Sequence, residues 1–311
     1  MKRARLAGAA ALFATLLTAA AGFWPEGLLN AEFARQRWLA DAHEHTAVVA
    51  GQRWHYVQSG TGPLIVLVHG FTGSKENWLP LMRELRTRYR IIAPDLPGWG
   101  ESGRQRNANY GPHAQAERLA AFLASLDAKP IFLVGHSMGG QIIGDLVAHH
   151  PAIVERIALM SSAGVHFRSN DFGRAVLAGR NPFEVRDRAS LHRYLGIVFT
   201  DPPWVPWPVD WAMARQRADQ VAFEQSVLDR IGRGPEAFAL EAELPNIATP
   251  TLLLWCRDDR VIDISAVAIF QKGLAHDTAV MLDGCGHMPM MVQPAAVADA
   301  IVRFLNKPLK N

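Results

Sequence analysis

Three residues far apart in the chain have the types and the order needed to cleave an ester. Ser137 stands in Gly135-His136-Ser137-Met138-Gly139, directly after the apolar run 131–134 and before a helical stretch. A serine flanked by small residues on a strand-to-helix turn is held in a strained backbone conformation. Its hydroxyl is lifted above the sheet edge, where the next helix N-terminus favours developing negative charge. That hydroxyl is a poor nucleophile without a base, and the base needs a carboxylate to orient it. Asp259 follows the apolar run 251–255, and His287 follows the run 278–282 in Gly284-Cys285-Gly286-His287. Serine, acid, histidine is the chain order that such a turn requires. His287 would take the Ser137 proton, and Asp259 would orient and stabilise the imidazolium. Asp258 is the rival carboxylate and reads as an exposed loop residue. After the run 153–160, Ser161-Ser162-Ala163 offers no acid.

Acyl transfer also needs donors for the oxyanion. His69-Gly70-Phe71 closes the apolar run 64–68. The N–H groups of Phe71 and Met138 would bind the tetrahedral oxygen, at about 3 kcal/mol per donor. His69 reads as a brace for this loop, and the turn-rich segment 95–102 as structural.

The elements that must position these groups follow from hydrophobic periodicity. Residues 46–50 and 53–57, separated by Gly51-Gln52, predict an antiparallel hairpin. Nearly continuous apolar runs at 64–68, 89–93, 131–134, 153–160, 251–255 and 278–282 predict strands buried on both faces. Helical patterns at 78–88, 112–125, 141–149, 265–273 and 294–305 lie between most of them. This alternation predicts an α/β protein with a mostly parallel, doubly wound sheet and helices on both faces. Residues 41–163 and 247–311 form its core. Residues 164–246 are too long for a bare loop and predict a mostly helical cap, or lid. Its aromatics, among them Phe167, Phe172, Phe183, Trp204, Trp207 and Trp211, read individually as cap core rather than substrate contacts.

The N-terminus reads as a membrane segment. Residues 6–24 carry no charge and span about 28 Å as a helix at ~1.5 Å per residue, just enough for a bilayer core of roughly 30 Å. Lys2, Arg3 and Arg5 precede the run and Phe23-Trp24 close it, as an anchor with its catalytic part outside the cytoplasm requires. A signal peptide cleaved after Ala19-Ala20-Ala21 is the competing reading. Residues 25–40 predict a second helix, lying on the membrane surface or packed on the domain, so that 1–40 form an anchor and juxtamembrane unit. Ala7, Ala11 and Thr15, beside Ala10, Ala14 and Thr18, would let two such anchors associate as a homodimer.

Composition narrows the remaining classes. With 49% hydrophobic residues the 311-residue chain can bury a large core, which excludes a disordered protein. Lys plus Arg is 32 against 29 for Asp plus Glu, and setting aside the three basic residues of the tail balances the two. The net charge is therefore no sign of nucleic-acid binding. No phosphate-cradling glycine loop is present, so no nucleotide cofactor is expected. No metal is expected either: His43-Glu44-His45 lack a third ligand, and His149-His150 read as a helix-end cap. Cys256 and Cys285 are expected as two separate buried thiols, with a disulfide as the alternative outside the cytoplasm.

Taken together, His69-Gly70-Phe71, the loop 95–102, Gly135-His136-Ser137-Met138-Gly139, Asp259 and Gly286-His287 resemble the α/β-hydrolase superfamily from residue 46 to the end. The resemblance implies the α/β-hydrolase fold. It also implies the esterase and lipase side of that superfamily, since haloalkane dehalogenases and epoxide hydrolases would carry Asp at position 137. With its N-terminal span the chain is similar to bacterial membrane-anchored lipolytic hydrolases of the phospholipase A and carboxylesterase type. A serine carboxylic-ester hydrolase acting on acyl lipids at the cytoplasmic membrane through an acyl-enzyme is implied. Cys256 departs from the glycine that this family usually has there. The alternatives are a hydrolase of soluble small molecules, such as a carbon–carbon bond hydrolase or short-chain carboxylesterase, and a non-catalytic membrane-tethered binding module. The last would not need all three partners.

Overall fold

In the computed structural model, which describes residues 25–308, short strands rich in Val, Ile and Leu alternate with helices. After helix α1 (Pro25–Leu39), strands β1 (His43–Val49) and β2 (Gln52–Ser59) form the hairpin. Ala50 and Gly51 turn it, with φ of 49° and 75°. Then come β3 (Leu64–Val68), α2 (Leu79–Leu85), β4 (Arg90–Pro94), α3 (Pro112–Ala124), β5 (Phe132–His136), α4 (Met138–His149) and β6 (Arg156–Met160). The insert carries α5 (Asp171–Leu177), α6 (Arg188–Val198), α7 (Val209–Ala218), α8 (Val221–Arg233) and α9 (Ala239–Glu243). The chain closes with β7 (Thr251–Cys256), α10 (Ala266–Gly273), β8 (Asp277–Leu282), α11 (Pro289–Val292) and α12 (Pro294–Leu305).

The strands make one eight-stranded sheet in the order β1-β2-β4-β3-β5-β6-β7-β8. β1 with β2 and β2 with β4 are antiparallel, and every other pair is parallel. All residues of β3, β5, β6 and β7 are buried, as strands covered on both faces must be. Each large apolar side chain so buried contributes about 1.5–3 kcal/mol. α12 shows how the covering helices are specified. Val297, Ile301 and Phe304 fall on one buried face, Pro294 occupies its first position, and Arg156 from β6 donates to the carbonyl of Phe304 in the last turn and to that of Lys307 just past it.

α4 starts three residues before the periodicity suggests, at Met138 rather than 141. Gly139 and Gly140 are poor helix formers, yet they are required there for close packing. A Cβ on Gly140 would lie 2.4 Å from Ser162 Oγ. α1 packs on α2 and on α7 of the insert. It is tied by Arg37 to Glu76 at 2.5 Å and by Glu26 to Arg215 at 3.7 Å. Among the described residues no helix is long and apolar enough to cross a membrane. The apolar run 6–24, with its small-residue faces, lies outside them.

Candidate active site

Ser137 joins β5 to α4 with φ 54° and ψ −120°, a conformation that costs a non-glycine residue of order 1–3 kcal/mol. The turn is held from both sides. Ser137 N–H donates to Met160 O at 2.9 Å, and its carbonyl accepts from the N–H groups of Gly140, Gln141 and Ala163. The flanking glycines are steric necessities. A Cβ on Gly135 would sit 2.3 Å from Gly139 O, and one on Gly139 would sit 2.3 Å from Val68 O.

Asp259 and His287 meet from adjacent loops past β7 and β8. Asp259 Oδ1 accepts from the N–H groups of Val261 at 2.8 Å and Ile262 at 3.1 Å. Its Oδ2 lies 2.8 Å from His287 Nδ1. With both donors on Oδ1 fixing a carboxylate, Nδ1 carries the proton and Nε2 keeps its lone pair. Both residues are buried. His287 N–H donates to Val198 O at 2.8 Å, and its carbonyl accepts from His136 Nε2 at 2.6 Å. The His136 and His287 rings are 4.7 Å apart, which places His287 beside the Ser137 turn. Among the described residues Ser137 Oγ makes no hydrogen bond to His287, a looseness common between such groups before a substrate is bound.

Phe71 and Met138 are buried, and among the described residues neither N–H has an acceptor within the protein. Both residues line the same cavity as Ser137, and buried N–H groups rarely go without an acceptor. That cavity, about 340 Å³, is walled by Phe167, Phe172, Val176, Phe183, Leu228 and Phe238 of the insert. Phe167, Phe172 and Phe183 pack in the cap core as expected, and they also line the cavity beside Ser137. A second cavity of about 1020 Å³ lies between α1, the insert and the sheet edge. It reaches Thr72 and Met288, the neighbours of Phe71 and His287, and carries Arg37, Lys75, Arg104, Glu101 and Glu224 on its walls.

His69 holds the loop that carries Phe71. Its Nδ1 donates to Gly70 O at 2.8 Å and its Nε2 accepts from Leu96 N–H at 2.9 Å, a pattern that only neutral imidazole satisfies. Burial is the main cause that pushes the pKa of His69 below its ordinary 6.5, and that of His136 well below. Below about pH 6.5 the unfolded chain therefore takes up protons that the folded chain refuses, and stability falls as the pH drops. His69→Gln should flatten this dependence by up to about 1.4 kcal/mol per pH unit. Urea unfolding at pH 7.5, 6.5 and 5.5 measures it, and an unchanged slope would mean that folded His69 protonates normally.

A sequence profile of the alpha/beta hydrolase family matches residues 65–300. The chain belongs to that family. Among its relatives, Lipase 1 of Psychrobacter immobilis is 29% identical, over 83% of this chain and 82% of its own length. Monoacylglycerol lipase ABHD6 of Homo sapiens is 27% identical, over 79% of this chain and 76% of its own. Among solved structures, a membrane phospholipase A described as a bacterial virulence factor superposes with a TM-score of 0.87 at 34% identity, covering 98% of both chains. The protein is thus a lipase-like alpha/beta hydrolase.

Two features of this alpha/beta hydrolase differ from the sequence reading. Cys256 and Cys285 are joined by a disulfide, not present as separate thiols, with Cα atoms 5.7 Å apart. Cys256 is paired in register with Leu282. The chain reverses after β8 through Gly284 at φ 73°, which brings Cys285 back over the end of β7. Asp258 is half-buried rather than a free surface group. It accepts from Thr200 Oγ1 and from the N–H groups of Gly284 at 3.2 Å and Gly286 at 3.4 Å, so it steadies the loop that carries His287.

The sequence reading also missed one cluster, because its members lie on different helices. His113 of α3 and Asp145 and His149 of α4 place their ligand atoms within 4.8 Å of one another on the surface. His113 Nδ1 meets Asp145 Oδ2 at 2.9 Å, and His149 Nδ1 donates to Asp145 O at 2.9 Å. These bonds hold the three residues together on the surface. His43 contacts Asp41 at 3.5 Å.

Proposed function

We propose that this protein is a serine carboxylic-ester hydrolase that cleaves acyl lipids through an acyl-enzyme. The observation that carries the reading is the apolar chamber opening on Ser137, lined also by Phe71 and Met138, whose N–H groups have no protein acceptor among the described residues. Ser137 attacks the ester carbonyl as His287 Nε2 takes its proton. Asp259 stabilises the imidazolium, and the two N–H groups bind the oxyanion. His287 then protonates the leaving alcohol, and water repeats the sequence on the acyl-enzyme. The chamber suits an acyl chain because its walls are mostly apolar. The second cavity, with charges of both signs, suits the polar alcohol side of the lipid.

Three observations support a position at a membrane with the catalytic part outside the cytoplasm. Residues 6–24 have the length and flanks of a span. The disulfide suits an oxidising compartment. Trp204 and Trp207 of the insert are 85% and 57% exposed, as aromatics at a bilayer interface would be. Signal-peptide cleavage ahead of Gly22 is the competing route to the same compartment, and pairing of two chains through residues 6–24 belongs to the anchored reading. A fluorophosphonate should label Ser137 in the full-length protein, which should hydrolyse phospholipid or monoacylglycerol and stay in the membrane after alkaline carbonate extraction. Labelling elsewhere with activity retained in Ser137→Ala would reject the chemistry, and a mature N-terminus at Gly22 would reject the anchor. Trp204→Ala/Trp207→Ala should lower turnover on phospholipid vesicles severalfold while leaving a short soluble ester within about twofold of wild type. Equal loss on both substrates would argue against interfacial tryptophans.

A further inference from the structure

The disulfide joins the two loops on which the proposed proton relay depends. Cys256 ends β7 three residues before Asp259, and Cys285 stands two residues before His287. Both cysteines are fully buried. Apart from the bridge, the segment from Asp283 to His287 is held only by non-covalent ties. Gly284 and Gly286 both sit at positive φ, 73° and 58°, so the segment carries two of the most permissive residues in the chain. The other ties include the half-buried Asp258 carboxylate on the Gly284 and Gly286 N–H groups, Gln293 Nε2 on Asp283 O, His136 Nε2 on His287 O, and the bond from His287 N–H to Val198 O. The last of these runs to the insert, which is not part of the sheet.

Asp259 is in the opposite condition. Its Oδ1 is fixed by two N–H groups of its own loop, and Trp255 Nε1, buried beside it, donates to Ile262 O at 3.0 Å. The acid is therefore rigid by local bonding, while the base sits on a glycine-rich segment. A covalent link from the end of β7 to the residue before Gly286 corrects that imbalance.

We infer that the Cys256–Cys285 disulfide is a positioning element that holds His287 in line between Asp259 and Ser137, so that full turnover requires the oxidised protein. The inference rests on the triad assigned above. Reduction would follow thiol–disulfide exchange. A dithiol attacks one sulfur to form a mixed disulfide, its second thiol displaces the protein sulfur, two electrons and two protons pass to Cys256 and Cys285, and the reagent leaves as a cyclic disulfide. Because both sulfurs are buried, exchange is slow until the loop opens.

The test uses the full-length protein with a short soluble ester before and after incubation with dithiothreitol, and the double variant Cys256→Ala/Cys285→Ala. A fluorophosphonate titration counts the competent sites in each sample. Breaking the bridge is expected to lower kcat per competent site about tenfold to a hundredfold, the cost of a misplacement near 1 Å, with KM within about twofold. Oxidised glutathione should restore the reduced wild type. The double variant should match the reduced enzyme and ignore dithiothreitol. Unchanged kcat per site in both reduced and variant protein overturns the inference. So does a loss confined to the number of competent sites, which is what a purely fold-stabilising bridge would give. Failure of the oxidised wild type to react with the fluorophosphonate would count instead against the triad.

Discussion

Ser137→Ala is expected to lower kcat for any ester by about four to six orders of magnitude, leaving the rate that bound substrate and oxyanion donors sustain without a nucleophile. His287→Ala should cost about as much. The double variant should be no worse than either single one, because a nucleophile and its base act as one unit. Asp259→Asn should cost about ten-thousandfold, since an amide facing Nδ1 favours the wrong imidazole tautomer. Asp258→Asn keeps one of the two acceptor oxygens that take the Gly284 and Gly286 N–H groups, so it loosens the loop without touching the relay and should stay within about tenfold of wild type. Steady-state rates on p-nitrophenyl butyrate, normalised to folded protein, decide these cases together. If the two aspartates exchanged their effects, Asp258 would be the orienting acid.

The second large effect concerns the chamber beside Ser137. Each methylene moved from water into an apolar cavity gains about 0.8 kcal/mol, roughly fourfold in kcat/KM. Across a series of p-nitrophenyl esters, kcat/KM should climb with chain length and level off once the room beside Ser137 is full. Val176 of α5 forms part of that wall and packs against Gly232 of α8, where a Cβ would lie 2.3 Å from Val176 Cγ1. With no slack behind it, a larger side chain at this position must point into the chamber. Val176→Phe takes the room of about two to three methylenes. It should therefore cost the dodecanoyl ester roughly fifteen- to sixtyfold while sparing the acetyl ester. The acetyl rate is the internal control for folding. Parallel loss across the whole series would place the acyl chain outside this chamber.

What could be read from sequence depended on the range over which each signal acts. The strands were legible because residues such as 64–68 and 251–255 are apolar without interruption, which only a sheet covered on both faces allows. The Ser137 turn was legible because its two glycines are local steric requirements, and Asp259 and His287 because parallel strands deliver their following loops to one edge. The disulfide was not, since it depends on a reversal at Gly284 that shows in φ and not in residue type. The chamber was hidden for a similar reason. Phe167, Phe172 and Phe183 come from separate segments of the insert, and their common direction exists only once α5 and α8 have packed. His113, Asp145 and His149 likewise meet through the packing of α3 on α4.

α1 has a mechanical consequence. The insert is joined to the sheet at its two ends, near Ser161 and Pro250, and gripped away from them by α1 through α7 and the Arg215–Glu26 contact. A body held at three points cannot swing about a line through two of them without breaking the third. Further ties run at the start of α5, from Arg168 N–H to Ser265 Oγ and from Asn170 Nδ2 to the carbonyls of Arg260 and Val261. Others run from the end of α6, at Val198 O and Thr200 Oγ1, to the loops past β7 and β8. Phe172, Val176 and Phe183 lie between those ties, so the wall beside Ser137 is framed from the sheet side at both ends, while α1 clamps the floor of the larger cavity.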